Sequence, residues 1–198
     1  MEQNGYGYTA PIQFEGGFPR AYVRAAKSAQ GEGDRLFGKA TVSQMSGKIE
    51  IVQTQKQMTA VIHLVIPRAE IQAVMGAAIG EVLAALTAQG LAPAGPLFSY
   101  HLQRPSNVFD FEVGFPVNSA VLSAGRVKCS SLPASTVART AYRGGYEGLG
   151  AAWGAHFVQI QARGLVAQGD LWECYLSGPE RSPDPAHWAT ELNCPVHS

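Results

Sequence analysis

Glu173 is the side chain in this sequence best placed to do chemistry. Its segment, Leu171-Trp172-Glu173-Cys174-Tyr175-Leu176, holds one carboxylate among apolar and aromatic residues. Read as a strand, it alternates. Leu171, Glu173 and Tyr175 share one face; Trp172, Cys174 and Leu176 share the other. The second set reads as the face that helices cover, which leaves Glu173 pointing into a concave groove. An unpaired buried carboxylate is costly. A lipophilic cation would remove that cost, and aromatic faces would add about 0.5–2 kcal/mol of cation–π attraction. The plainer alternative is an ion pair with Arg139, Arg143 or Arg163.

Other residues join Glu173 as candidates for lining the groove. Tyr175 shares its face, and Tyr146 opens a helix from which its hydroxyl can reach inward. Trp188, Tyr100 and Tyr142 complete the aromatic set, with core packing as the ordinary alternative for each. Trp153 falls in a helix stripe and reads as core, or as a residue that shapes the pocket. Glu112 and Glu191 hold matching places in two strands, where they either line the groove or serve the fold. The histidines 63, 101, 156, 187 and 198 form no catalytic arrangement with Ser or Cys. Cys129, Cys174 and Cys194 are odd in number and lack C-x-x-C spacing, so they read as free thiols in a reducing cytoplasm. No His stands at ligand spacing from them, and neither a metal nor a cofactor is expected.

The elements that must position these residues are written twice. Gly76-Ala77-Ala78-Ile79-Gly80 returns 74 positions on as Gly150-Ala151-Ala152-Trp153-Gly154. Gly90-Leu91 returns as Gly164-Leu165, and Leu97 and Leu102 return as Leu171 and Leu176. Residues 109–117 return as 188–196, 79 positions on, after a longer loop at 177–185. The Gly-Ala runs lie inside helices with no following Lys, so they are not phosphate loops. Their small residues predict close helix–sheet approach.

Strands are expected over 48–53 and 57–66, as two short strands or one bent one, and over 96–102 and 108–117. A helix is expected over 69–89, capped by Gly90. The second half repeats this with strands over 126–132, 135–143, 171–176 and 188–196 and a helix over 144–161, capped by Gly164. The fold class is α+β: duplicated strand–helix–strand–strand modules form an antiparallel sheet, with two helices on one face and a ligand groove between the modules. Module one spans 48–117 and module two 124–196. Residues 1–47 are glycine-rich and aperiodic. They read as a flexible extension, or, since Met45 offers a second start, as a misplaced beginning of the chain.

Composition excludes several classes. Of 198 residues 15% are charged and the formal net charge is zero. No Lys/Arg cluster stands ready to neutralise phosphates, so no direct nucleic-acid binding is expected. No apolar run approaches the roughly 18 residues of a membrane span, and the start lacks a secretory signal pattern.

These residues resemble the GyrI-like small-molecule-binding domain, the effector-binding domain of AraC- and MerR-type multidrug regulators, which also occurs alone. The resemblance runs through Leu132-Pro133, Ala141-Tyr142-Arg143-Gly144-Gly145-Tyr146, Leu149, Trp153, Trp172-Glu173-Cys174-Tyr175, Pro179, Trp188-Ala189-Thr190-Glu191-Leu192 and Pro195-Val196. It covers about residues 48–196. It implies a groove between two fused modules, hydrophobic and often cationic drug-like ligands, and Glu173 as the key acid of the penultimate strand. It also implies three roles for standalone members: drug sequestration, modulation of gyrase or a regulator, and hydrolysis of cyclopropane-bearing alkylating compounds. Residues 1–47 are not expected to hold the packed helices of a DNA-binding domain. The expectation is a cytoplasmic small-molecule-binding protein, with the hydrolase as its rival.

Overall fold

The two helices end alike because the same glycine stands at the same place in each half. The computed structural model describes residues 49–198, and the expected N-terminal extension lies outside them. Helix α1 is Ile71–Ala88 and helix α2 is Leu149–Ala162. Gly90 and Gly164 follow them with φ of 66° and 72°. In each case the glycine N–H and the next N–H turn back onto the last helical carbonyls (Gly90 to Thr87 and Leu91 to Leu86; Gly164 to Gln161 and Leu165 to Ile160). This is the cap that a left-handed residue allows.

The strands are β1 Glu50–Gln53, β2 Gln57–Pro67, β3 Phe98–His101, β4 Val108–Pro116, β5 Lys128–Leu132, β6 Thr136–Arg143, β7 Val166–Ala167, β8 Leu171–Ser177 and β9 Ala189–His197. Their order in the antiparallel sheet is β1-β6-β9-β8-β3-β4-β2-β5, with the short β7 added to β9. The fold is therefore α+β, as the sequence pattern implies.

Strands β1 and β2 do not pair with each other. Strand β1 crosses to β6 of the second half, and β5 crosses back to β2 of the first. The two connectors bind each other where they cross. Thr54 donates through its hydroxyl to the Pro133 carbonyl at 2.9 Å and through its N–H to the Ser135 carbonyl at 2.8 Å.

Register ties the halves together at the centre. One row of directly opposed residues runs Thr140–Leu192–Glu173–Ser99–Val113–Ile62 across six strands. Opposed residues share a face. Helix α1 packs on the Ile62 and Val113 end of that face through Ala78, Ile79, Val82, Ala85 and Leu86. Helix α2 packs on the Leu192 end through Ala152, Trp153 and Ile160. Both helices thus lie on the face that carries Glu173.

That corrects one expectation. Leu171, Glu173 and Tyr175 face the helices, while Trp172 and Cys174 face away. The far side is not open either, because Val61, Phe98, Leu132, Val137 and Trp172 form a third buried cluster there. A second correction concerns the helix glycines. A Cβ at Gly76 or Gly154 would meet nothing within 4 Å, so neither brings helix and sheet together. The close approach is at Gly114 of β4, where a Cβ would strike the Ala60 carbonyl of β2.

A third correction concerns membrane spans. The helical stretch Arg68–Ala88, 21 residues with a mean hydropathy of 1.6, is long and apolar enough by composition to cross a bilayer. One stripe of it is built into the module-one core.

Candidate functional site

Glu173 and Ser99 occupy the middle of the sheet because the two halves meet there. Each helix is drawn to the strands of its own module, so the seam between α1 and α2 runs over β3 and β8. Glu173 lies in that seam, 6% exposed. Its Oε1 accepts a hydrogen bond from the indole Nε1–H of Trp153 at 2.7 Å. Its Oε2 accepts from the Tyr175 hydroxyl at 2.8 Å. The Ser99 hydroxyl is 3.4 Å from Oε2 and 2.9 Å from the Tyr175 oxygen, to which it can donate while the phenol donates to Glu173. Burial, and then the nearby Glu173 charge, hold the Tyr175 phenol well above its ordinary pKa, so it stays protonated and a donor.

All these partners are neutral. The ion pairs found among the described residues do not include Glu173. Arg139, one of the partners considered from sequence, lies on the opposite face. There it approaches Glu191 at 3.4 Å and donates to the Asn193 amide oxygen at 2.8 Å.

Aromatic rings continue from Tyr175. Tyr146 comes from the short 3-10 turn Tyr146–Gly148 that leads into α2. Its ring centroid is 5.5 Å from Tyr175 and 4.8 Å from Trp188. Trp188 is fixed by its indole N–H, which donates to the Ser182 carbonyl at 2.8 Å in the longer loop of the second half. Trp153 stands 5.6 Å from Phe157, one turn along α2. The structure thus gathers Glu173, Tyr175, Tyr146, Trp188 and Trp153 on one side of the sheet.

The other candidates lie elsewhere. Tyr142 is buried beneath the turn before α2, and its hydroxyl donates to the Gly145 carbonyl at 3.0 Å. Tyr100 is on the far face. It donates to Asp170 at 2.7 Å and packs edge-on to Trp172 at 6.0 Å. Glu112 opposes Tyr100 in the ladder and accepts from the Ser130 hydroxyl at 2.9 Å. Glu191 opposes Cys174 and joins the Arg139–Asn193 network. Burial, with the Glu191 charge beside it, pushes the Cys174 thiol up to about 12, which leaves it protonated and unreactive. Among the described residues no group of His, Cys, Asp and Glu could hold a metal ion.

Ser99 and His101 lie on the same face beside Glu173, although neither stands out in the sequence by residue type. The available signal was the repeat, since they are the counterparts of Glu173 and Tyr175. His101 is 4% exposed and is stacked beside Phe111, with ring centroids 5.3 Å apart.

Comparison with known proteins agrees with this architecture. Residues 47–197 match the family model of the GyrI-like small molecule binding domain. The chain belongs to that family. The crystal structure of the EcmrR C-terminal domain is similar at 21% identity and a TM-score of 0.67, covering 78% of this chain and 99% of that one. EcmrR in its DNA complex is similar at 19% identity and a TM-score of 0.66 over 76% of this chain, which spans 57% of that longer one. SAV2435 bound to tetraphenylphosphonium is similar at 14% identity and a TM-score of 0.57, covering 77% and 95% of the two chains. At these identities the likeness establishes the fold. No curated protein is found to match the chain.

Proposed function

We propose that this protein binds hydrophobic, cationic, drug-like molecules in the seam between α1 and α2, with Glu173 as the electrostatic anchor. The observation that carries this is a buried carboxylate whose hydrogen-bond donors among the described residues are all neutral. Such a group keeps its charge unbalanced, and a desolvated cation balances it. Tyr175, Tyr146, Trp188 and Trp153 offer ring faces around it. SAV2435, which shares the fold, was solved with a cation of this kind. A cytoplasmic site of action suits the three free thiols.

The test is Glu173→Gln, titrated with tetraphenylphosphonium. The amide keeps one oxygen for Trp153 and removes the charge. Affinity should fall about tenfold or more, since charge-assisted contacts are worth about 1.5–3 kcal/mol. Equal affinity in wild type and variant would refute the anchor.

The Glu173–Tyr175 pair supports a second reading. A carboxylate can take a proton from water as its oxygen attacks a cyclopropane carbon, while a phenol hydroxyl donates to the conjugated carbonyl oxygen that receives the electron pair of the broken ring C–C bond; this is what ring-opening hydrolysis of a cyclopropane-bearing alkylator asks for. Catalytic appearance of a hydrated product would favour that enzyme; one-to-one capture without product favours binding.

A further inference from the structure

Among the described residues, two polar side chains on the seam face of the sheet, Thr190 and His101, have a buried atom with no hydrogen-bond partner, and His101 is the larger and lies beside the central pair. It lies on β3, on the face of Ser99 and diagonal to Glu173 across the β3–β8 ladder. Its Nδ1 is fully enclosed and has no hydrogen-bond partner. Buried ring nitrogens are normally paired, and an orphan calls for an explanation. The repeat sharpens the point. The counterpart of His101 is Tyr175, whose hydroxyl is bonded to both Ser99 and Glu173. Two symmetry-related positions flank the central pair with polar tips, and the protein satisfies only one of them. His156 also has an unpartnered Nδ1, but its Nε2 is bonded to the Ala138 carbonyl at 3.0 Å under α2, so it is already anchored.

The surroundings of His101 fit a flat ring. Phe109 stands edge-on at 5.3 Å and is half-buried. Arg104, from the loop after His101, lies 4.3 Å over the Phe157 ring of α2, so both modules bound this end of the seam.

We infer that His101 is a second polar contact of the binding seam, selecting lipophilic cations that carry a hydroxyl on one aryl arm. The inference rests on the seam being the binding site proposed above. Burial holds the imidazole below its ordinary pKa and hence neutral, so it adds no repulsion to a cation beside Glu173. A neutral imidazole has one donor and one acceptor. A ligand hydroxyl can donate to the acceptor or accept from the donor. A site that hydrogen-bonds a ligand hydroxyl discriminates sharply against the analogue without it, because its own polar group is then left unpaired.

The probes are tetraphenylphosphonium and (3-hydroxyphenyl)triphenylphosphonium, titrated calorimetrically against wild type, His101→Phe and His101→Gln. Wild type should prefer the hydroxylated probe by about fivefold, the value of one added hydrogen bond. His101→Phe should bind both probes equally, whatever its absolute affinity for tetraphenylphosphonium, and His101→Gln should restore part of the preference. If His101→Phe does not fold, His101→Leu, which also lacks hydrogen-bonding atoms, takes its place. Ordinary tetraphenylphosphonium binding without a hydroxyl preference, or a preference that survives in His101→Phe, overturns this inference alone. Failure of wild type to bind either probe overturns the parent reading, and this one with it.

Discussion

Glu173 is held by donors that also compete with any ligand for its lone pairs. Trp153 supplies one at 2.7 Å. Trp153→Phe keeps a ring in the seam and removes that N–H. The carboxylate then loses a hydrogen bond it was buried with, which costs about 1–3 kcal/mol. Urea denaturation should show a loss of that size. Tetraphenylphosphonium affinity should hold, because a cation gains from a carboxylate with fewer donors. A loss as large as that of Glu173→Gln would show instead that the indole N–H is part of the binding contact. At this scale the sequence singles out the acid and misleads about where it points. An acid in an apolar strand is visible in one line of text. Its direction was misread because both faces of β8 are buried, one by the helices and one by the cluster around Trp172. Hydrophobic alternation cannot rank two apolar faces.

The elements divide into those fixed locally and those fixed by distant partners. Helix ends were legible because a glycine free to adopt positive φ is a local signal, and it stands at the same place in both halves. The crossing of β1 to β6 and of β5 to β2 was not legible, since pairing between strands so far apart in sequence leaves no local mark. The turn into α2 is a third case, and it explains Tyr142. Gly144, at φ 140°, lies so close to the Tyr142 hydroxyl that a Cβ would come within 2.5 Å of it, and Gly148 crowds it from the other side. The hydroxyl thereby reaches the Gly145 carbonyl and fixes the turn that presents Tyr146. Tyr142→Phe should lower stability by about 1 kcal/mol, the usual net worth of a buried hydrogen bond. Thermal denaturation reads this directly. Phosphonium binding should weaken only to the extent that Tyr146 loses its place.

At the scale of the whole molecule, the described strands form one sheet in which β1 extends the edge beside β6 and β5 the edge beside β2, with the acid near its centre. The stability of the molecule also has a built-in dependence on pH. His101 and His156 are buried, and burial lowers the pKa of both. Above the ordinary histidine pKa of about 6.5 both are neutral in folded and unfolded chains alike, and stability is full. Below it the unfolded chain binds protons that the folded chain refuses, so stability falls with pH until the lowered folded values are reached. Each unit of depression removes about 1.4 kcal/mol. For a domain of this size each kcal/mol corresponds to about 2–4 °C of melting temperature. Melting curves should therefore be flat from pH 8 to about 7 and shift downward as pH falls from about 6.5 towards 5, a window that lies above the ordinary carboxylate range. His101→Phe should remove its share of that slope. So should His156→Val, which installs the residue that Val82 provides at the matching place in α1. Bound tetraphenylphosphonium raises the whole curve by stabilising the folded state. A slope unchanged in both variants would mean that neither buried imidazole is the source.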